Sequence, residues 1–385
     1  MAIIGQRIAD LAPAREFPVR KLPEEPLKRG IVVRSPNWLG DAVMTLPALH
    51  ALKTLLPEGA PLAVIAPPGV AELYRFLPDA THILTLDKPH TAWPEPVRRM
   101  IRDAGFQIGV LFNNSLRDTI SLRRSGVSML FGRAARGRSF LLKRSFAFPG
   151  WRTGRLNRSH HANEYLAMVR ALGAEHAPLA MPELQPYRTL DQLDLELQGF
   201  CQHPNLMVLA PGAAYGAAKR WPSANFREVA RRHIEQGGIV VVVGSAGERA
   251  IGDEVLDGLP ANRAGNLSGK TSLSALYHLL KIARLCVAND SGIMHFAAAL
   301  GTPGVAVFGP TDYCATGPVS DRWNLVFDKE PCAPCFERVC PRGNPCCITK
   351  ITPETVIEAI LALPGKAPRT EYRNIPENPL QNQKE

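Results

Sequence analysis

No apolar run in the 385-residue chain is long enough to cross a bilayer. Stretches such as VVVVG and VAVFG last five to eight residues, where a membrane helix needs about twenty. A secretory signal is also missing, because the N-terminal text MAIIGQRIADLAPAREFP is broken by charge before an apolar core develops. These absences exclude a membrane-spanning helix and make the cytosol the expected compartment. A mostly disordered chain is excluded too: apolar residues make up 45% and charged residues 21%, close to ordinary soluble domains. At this length two cores are expected rather than one.

Acid is the scarcer charge, with 35 Asp and Glu against 45 Lys and Arg, for a formal +10. An acidic partner is expected: a phosphorylated molecule, an anionic membrane or nucleic acid. No module that reads nucleic acid is present, which disfavours the last. The excess is local. From Arg117 to Arg158 there are eleven Lys or Arg and a single acid, Asp118, interleaved with Phe131, Phe140, Phe146, Phe148 and Trp151. This stretch reads as a solvated basic surface, or as one meeting an anionic acceptor or membrane through residues such as Arg133, Arg136 and Arg138.

Short apolar strands alternate with helical periodicity along two stretches. The first holds IVVRS (Ile31–Ser35), Leu62–Ala66, Ile83–Leu86 and Ile108–Phe112, with a helix expected to start near Thr45 as its cap. The second holds LMVLAPG, IVVVVGS, LCVAND and GVAVFGP, with helices capped by Ser223 and by Thr271 or Ser272. Such alternation predicts α/β architecture with parallel sheets. The expected organisation is an extended leader over 1–28, a doubly wound domain over 29–190, a second over 200–364, and a disordered tail over 365–385. Two doubly wound halves predict a ligand cleft between them, at the carboxyl ends of the strands.

Three glycine-bearing loops follow strand ends. In Asn37-Trp38-Leu39-Gly40-Asp41 the acid either caps a helix or serves as a general base. In Pro211-Gly212-Ala213-Ala214-Tyr215-Gly216-Ala217-Ala218-Lys219-Arg220, small residues bare the backbone amides while Lys219 and Arg220 add positive charge, a combination suited to a diphosphate. In Asn289-Asp290-Ser291-Gly292-Ile293-Met294-His295 a helix begins, and its N-terminal amides can take phosphate oxygens. A plain surface lysine at 219 and a plain helix cap at Asp290 are the alternatives.

Two further patterns compete. Ala264-Gly-Asn-Leu-Ser-Gly-Lys-Thr271 approximates a P-loop, but the preceding GLPANR is no buried strand and Ala264 replaces the first glycine. The cysteines cluster at 332, 335, 340, 346 and 347. Cys332, Cys335, Cys340 and Cys347 could close a structural zinc site, although their gaps match no standard ribbon and packed free thiols fit as well.

Taken together, RSPNWLGDAVMTLPAL, PGAAYGAAKRWP, NLSGKTSL, VANDSGIMHFAAALGTPGVAVFGPT and CAPCFERVCPRGNPCCITKITPE resemble glycosyltransferase family 9, the bacterial lipopolysaccharide heptosyltransferases, and most of all its heptosyltransferase II branch. The likeness spans roughly residues 30–362. It implies a GT-B fold, two Rossmann-like domains facing across a cleft. It implies inverting transfer of heptose from ADP-L-glycero-D-manno-heptose to the lipopolysaccharide inner core, with no metal needed for catalysis and peripheral attachment at the inner face of the cytoplasmic membrane. Asp41 would be the base and Lys219 the cation on the departing diphosphate. Gly212, Ala213, Ala214, Lys219, Arg220, Asp290, Ser291, Gly292 and His295 would bind the donor, and Asn37, Trp38, Gly40, Arg117 and Arg123 the acceptor. Ala214 stands where the branch often carries an acid, and the leader has no counterpart, so another nucleotide sugar or a catalytically silent binder are the alternatives.

Overall fold

The structure is a computed structural model that describes residues 2–87, 91–148, 159–192 and 195–364. The expected tail and Trp151, Arg152, Arg155 and Arg158 of the basic stretch lie outside these residues. Among them thirteen strands form two sheets. In chain order these are β1 (Ala2–Gln6), β2 (Ile31–Arg34), β3 (Leu62–Ala66), β4 (His82–Thr85), β5 (Ile108–Leu111), β6 (Met129–Arg133), β7 (Arg144–Phe146), β8 (Leu206–Ala210), β9 (Ile239–Val242), β10 (Ala264–Asn266), β11 (Leu285–Asn289), β12 (Gly304–Phe308) and β13 (Trp323–Phe327). The chain divides into one unit of residues 11–185 and another of residues 1–10 and 186–385.

In the unit of residues 11–185 six strands run parallel in the order β4-β3-β2-β5-β6-β7. The other unit carries β1-β13-β12-β11-β8-β9-β10, parallel except for β1. Leaving β1 aside, each sheet starts in its middle, grows outward for two strands, then crosses back and grows the other way. That is the doubly wound Rossmann order, and its reversal point lies between β2 and β5 in one unit and between β8 and β11 in the other.

The strands at both reversal points are apolar on both faces. Every residue of β2, β3, β5, β8, β9, β11 and β12 is buried, as a parallel sheet covered by helices requires. In the larger unit Met207, Leu209, Val240, Val242, Val287 and Val307 pack with Trp221 and Phe226 into one core. Each fully buried side chain of this kind contributes about 1.5–3 kcal/mol. The polar strand ends project from a rigid platform.

The expected extended leader is corrected. Residues 2–6 form β1, which pairs antiparallel with β13, and Ile8 N donates to Asp321 Oδ1 at 2.6 Å. Apolar Leu11 and Leu22 are buried, the Phe17 ring meets Phe146 and Phe148 edge-on, and Glu24–Lys28 is a helix. Backbone donors with ladder partners available do not stay free.

Two expected caps also change. The helix after β2 begins at Leu39, and Thr45 joins it to a second helix, Leu46–Lys53, with its hydroxyl donating back to Ala42 O. Pro222 rather than Ser223 precedes the helix Ser223–Glu235, and the Ser223 hydroxyl bonds to Glu254. Ser272 does cap Leu273–Ile282, accepting from Ala275 N. Ala264–Asn266 of the P-loop-like text is itself strand β10 at the edge of the sheet, so the first positions of that motif are sheet and not loop.

Candidate functional site

At the β2/β5 reversal point the loops after the two strands enclose a cavity of about 950 Å³. Asn37 and Trp38 line it from one side, Asn113, Asn114 and Arg117 from the other, with Arg124 and Arg136 added. Trp38 is 54% exposed, a large apolar ring left in water. Asn114 Oδ1 is buried without a hydrogen-bond partner among the described residues. The cavity therefore offers an aromatic face, asparagine amides with one unmatched oxygen, and three guanidinium groups, a set suited to a polar, anionic ligand.

A buried ion pair holds those amides in place. Arg34, fully buried at the end of β2, donates from Nε to Asp118 Oδ2 at 2.8 Å, from Nη1 to Ser35 O at 2.6 Å and from Nη2 to Asn37 Oδ1 at 2.6 Å. Asp118 also accepts from Trp93 Nε1 at 3.0 Å and Asn113 Nδ2 at 2.5 Å. Burial pulls the Arg34 pKa down, and Asp118 partly offsets it. Removing either charge strands the other in a dry interior.

Asp41 is not on a loop; it lies in the first turn of the helix Leu39–Met44. Its carboxylate is about one-third exposed, and Oδ1 is 3.9 Å from Nδ1 of His161, which starts the helix His161–Arg170. Burial pulls the His161 pKa down, but the nearby Asp41 carboxylate, with Glu164 adding, leaves it net raised despite Arg133. The expected acceptor contacts divide accordingly. Asn37, Trp38 and Arg117 line the cavity; Gly40 lies within the helical turn; Arg123 donates to Ser128 O and does not line it. His161, Asn113 and Asn114 were missed, because the strand-end position of the two asparagines is the only sequence signal they carry, whereas Arg124 and Arg136 belong to the basic stretch read as meeting an anionic acceptor or membrane.

The basic stretch is not one surface. Arg138 is fully buried and donates to Asn113 O at 2.6 Å and Arg133 O at 3.2 Å, with burial taking its pKa down to about 10. Arg133 pairs with Glu164 at 2.8 Å. Phe131, Phe146 and Phe148 are buried, while Phe140 is 79% exposed. A membrane-facing role for Arg133 and Arg138 is thereby corrected: these guanidinium groups compensate buried carbonyls and a carboxylate.

At the β8/β11 reversal point, Lys219 and Asp290 meet. Lys219 Nζ is 2.5 Å from Asp290 Oδ2, both side chains are largely buried, and the Thr311 hydroxyl donates to the same oxygen at 2.6 Å. The surface-lysine reading fails on this burial. Lys219 ends a short 3-10 turn, Ala217–Lys219, and its ammonium also lies 5.1 Å from the centre of the Tyr215 ring. Asn289 locks the loop, donating to Pro211 O at 2.7 Å and accepting from Trp221 N at 3.1 Å.

The other residues expected to bind the donor lie on the loops after β8 and β11 and in the helix that follows β11. Ser291, not Asp290, caps the helix Gly292–Ala299, accepting from Met294 N. Ala213 and His295 are buried, and Ala214 is exposed. A Cβ on Gly212 would lie 2.1 Å from the Glu248 carboxylate, so the bare glycine lets that side chain lie against the loop. Arg220 Nε is buried with no partner among the described residues, an unmatched cationic donor beside bare amides. Thr311 and Glu248 were missed. The text GPT after β12 signals the first; nothing marks the second.

The cysteines are free thiols, and no three His, Cys, Asp or Glu side chains converge to hold a metal ion among the described residues. Cys332, Cys335 and Cys340 are the thiols that neighbour Cys347. Burial first, then the neighbouring thiols, pushes Cys347 up to about 11.

Comparison with known proteins agrees with this geometry. Residues 97–345 match glycosyltransferase family 9 (heptosyltransferase). The chain is similar to lipopolysaccharide heptosyltransferase 2 of Escherichia coli K12, with 28% identity over 357 residues that cover 86% of this chain and 98% of the relative. It is likewise similar to lipooligosaccharide heptosyltransferase 2 of Haemophilus influenzae, with 28% identity covering 77% and 88%. Among solved structures, the E. coli ADP-heptose lps heptosyltransferase II shares 25% identity at a TM-score of 0.70, covering 86% and 97%. A family 9 protein of Veillonella parvula, at 21% identity and a TM-score of 0.73, shares the fold. The chain belongs to glycosyltransferase family 9, a glycosyltransferase built from two Rossmann-like domains.

Proposed function

We propose that this enzyme transfers heptose from ADP-L-glycero-D-manno-heptose to a heptose of the lipopolysaccharide inner core, with inversion. The observation that carries the reading is the buried Lys219–Asp290 pair at the reversal point, beside bare loop amides and the unmatched Arg220 donor. An ammonium has three N–H donors. One serves Asp290, which leaves others for phosphate oxygens.

In the reaction, the acceptor hydroxyl oxygen forms a bond to the anomeric carbon while its proton passes to the Asp41 carboxylate. The bond from that carbon to the diphosphate oxygen breaks, and its electron pair leaves with ADP. Charge grows on the leaving oxygen, where Lys219, Arg220 and the amides at Ser291 and Gly292 stabilise it. These groups supply the positive charge themselves, so the reading requires no metal. Asp290 Oδ1 takes a sugar hydroxyl, since both protein contacts go to Oδ2.

On the acceptor side, Trp38 stacks on a sugar ring, and Arg117, Arg124 and Arg136 meet anionic groups of the core. A lipid-linked acceptor brings the enzyme to an anionic membrane surface as a peripheral protein, with exposed Arg136, Phe140 and Lys143 as the contact. No helix among the described residues is long and apolar enough to cross a membrane. The test is ADP release from purified enzyme with a heptosylated core glycolipid, screened over ADP-, GDP- and UDP-sugars. Release confined to ADP-heptose is expected. Preference for another donor would overturn the assignment, and donor binding without turnover would favour a silent binder.

A further inference from the structure

We propose that Arg338, on the cysteine-bearing segment after β13, is a second cation of the diphosphate site, aimed there by Tyr215. The proposal rests on the donor-site reading above. The segment is seated directly on the phosphate loop. Tyr215 Oη donates to Phe336 O at 2.6 Å, Ala218 N donates to Arg338 O at 3.1 Å, and Phe336 N donates to Pro310 O at 2.8 Å. The loop is shaped to receive it: a Cβ on Gly216 would lie 2.3 Å from Arg338 O. Phe336 holds a φ of 60°, a left-handed conformation that a bulky side chain adopts only where its surroundings impose it.

The charges need a partner. The Arg338 guanidinium carbon lies 5.2 Å from the centre of the Tyr215 ring, and Lys219 Nζ lies 5.1 Å from the same centre. The two cations are therefore no more than about 10 Å apart, within a Debye length at ordinary ionic strength. Asp290 answers Lys219, yet among the described residues no carboxylate pairs with Arg338. Two cations gathered on one aromatic ring with a single balancing acid form a site that a dianion completes. A diphosphate presents two charged groups, and a monophosphate presents one.

The charge contrast supplies the test. Binding of ADP and of AMP is measured by calorimetry on the full chain. Arg338→Gln keeps the backbone contact to Ala218 and removes the charge together with the guanidinium donors. It is expected to weaken ADP about tenfold while leaving AMP within twofold. Arg338→Lys is expected to recover part of the loss. Tyr215→Phe keeps the ring but loses the bond to Phe336 O, and is expected to weaken ADP severalfold more than AMP. Equal weakening of ADP and AMP in Arg338→Gln would reduce Arg338 to a structural strap and overturn the proposal, as would wild-type affinity for ADP. If the wild type binds neither nucleotide, the donor-site reading itself falls.

Discussion

Replacing Lys219 by Met tests whether the buried pair serves folding, binding or both. The change leaves Asp290, 5% exposed, with one hydroxyl partner, Thr311. Breaking one side of a buried ion pair costs about 3–5 kcal/mol, and the Met side chain returns some packing, so about 3 kcal/mol is expected. For a unit of this size, that lowers Tm by about 6–12 °C. ADP affinity should fall as well, by about 10- to 100-fold, the worth of a charge-assisted phosphate contact. The two losses separate in the double variant Lys219→Met with Asp290→Asn, which removes the stranded charge. Thermal unfolding should then return most of the way to wild type, while calorimetry still shows weak ADP binding. A Lys219→Met protein within 1 °C of wild-type Tm would refute the stability argument. Recovery of ADP affinity in the double variant would refute the role of the ammonium as phosphate ligand.

Asp41→Ala should lower turnover at least about a hundredfold with donor affinity kept; weakened ADP-heptose binding at normal turnover contradicts a base. His161→Gln tests the raised pKa of His161 through unfolding across pH. A raised folded value means that protonated His161 stabilises fully below its ordinary 6.5 and that this contribution fades as pH rises through the folded value. The variant should therefore be less stable than wild type in acid and approach it in alkali; a pH-independent difference would dismiss the Asp41 contact, with Glu164 and Arg133 left as bystanders. Arg124→Ala combined with Arg136→Ala should raise the acceptor KM about tenfold or more and leave the donor KM unchanged, read by initial rates. A matching change in donor KM would remove the cavity from acceptor binding.

Much of this site was legible because its residues sit where strands end. Burial on both faces makes β2, β8 and β11 unmistakable as apolar text, and glycine and small residues at their carboxyl ends mark loops that approach a ligand. That placed Asn37, Asp41, Lys219 and Asp290 on the right edge of each sheet. Periodicity carries no information about partners that arrive from far along the chain. His161 lies 120 positions from Asp41, and Arg338 reaches Tyr215 from 123 positions away. The edge strand β1 was illegible for a related reason: AIIGQ is short, half-exposed and paired only through β13.

The basic stretch shows where counting charge fails. Eleven Lys and Arg between Arg117 and Arg158 imply one cationic surface only if every side chain reaches water. Asp118, the lone acid, is buried with Arg34, whose charge arises 84 positions earlier on β2, so its partner lies outside the stretch altogether. Arg138 spends its donors on carbonyls at the ends of β5 and β6, and Arg133 answers Glu164 on a helix whose first residue touches Asp41. These cations brace the floor beneath the cavity, while Arg117, Arg124 and Arg136 face into it. The same residue type thus does two jobs, set by whether a fixed acceptor lies within reach. Where none does among the described residues, as at Arg136 and Arg124, the charge is left to the cavity, and this is what the proposal of an anionic acceptor rests on.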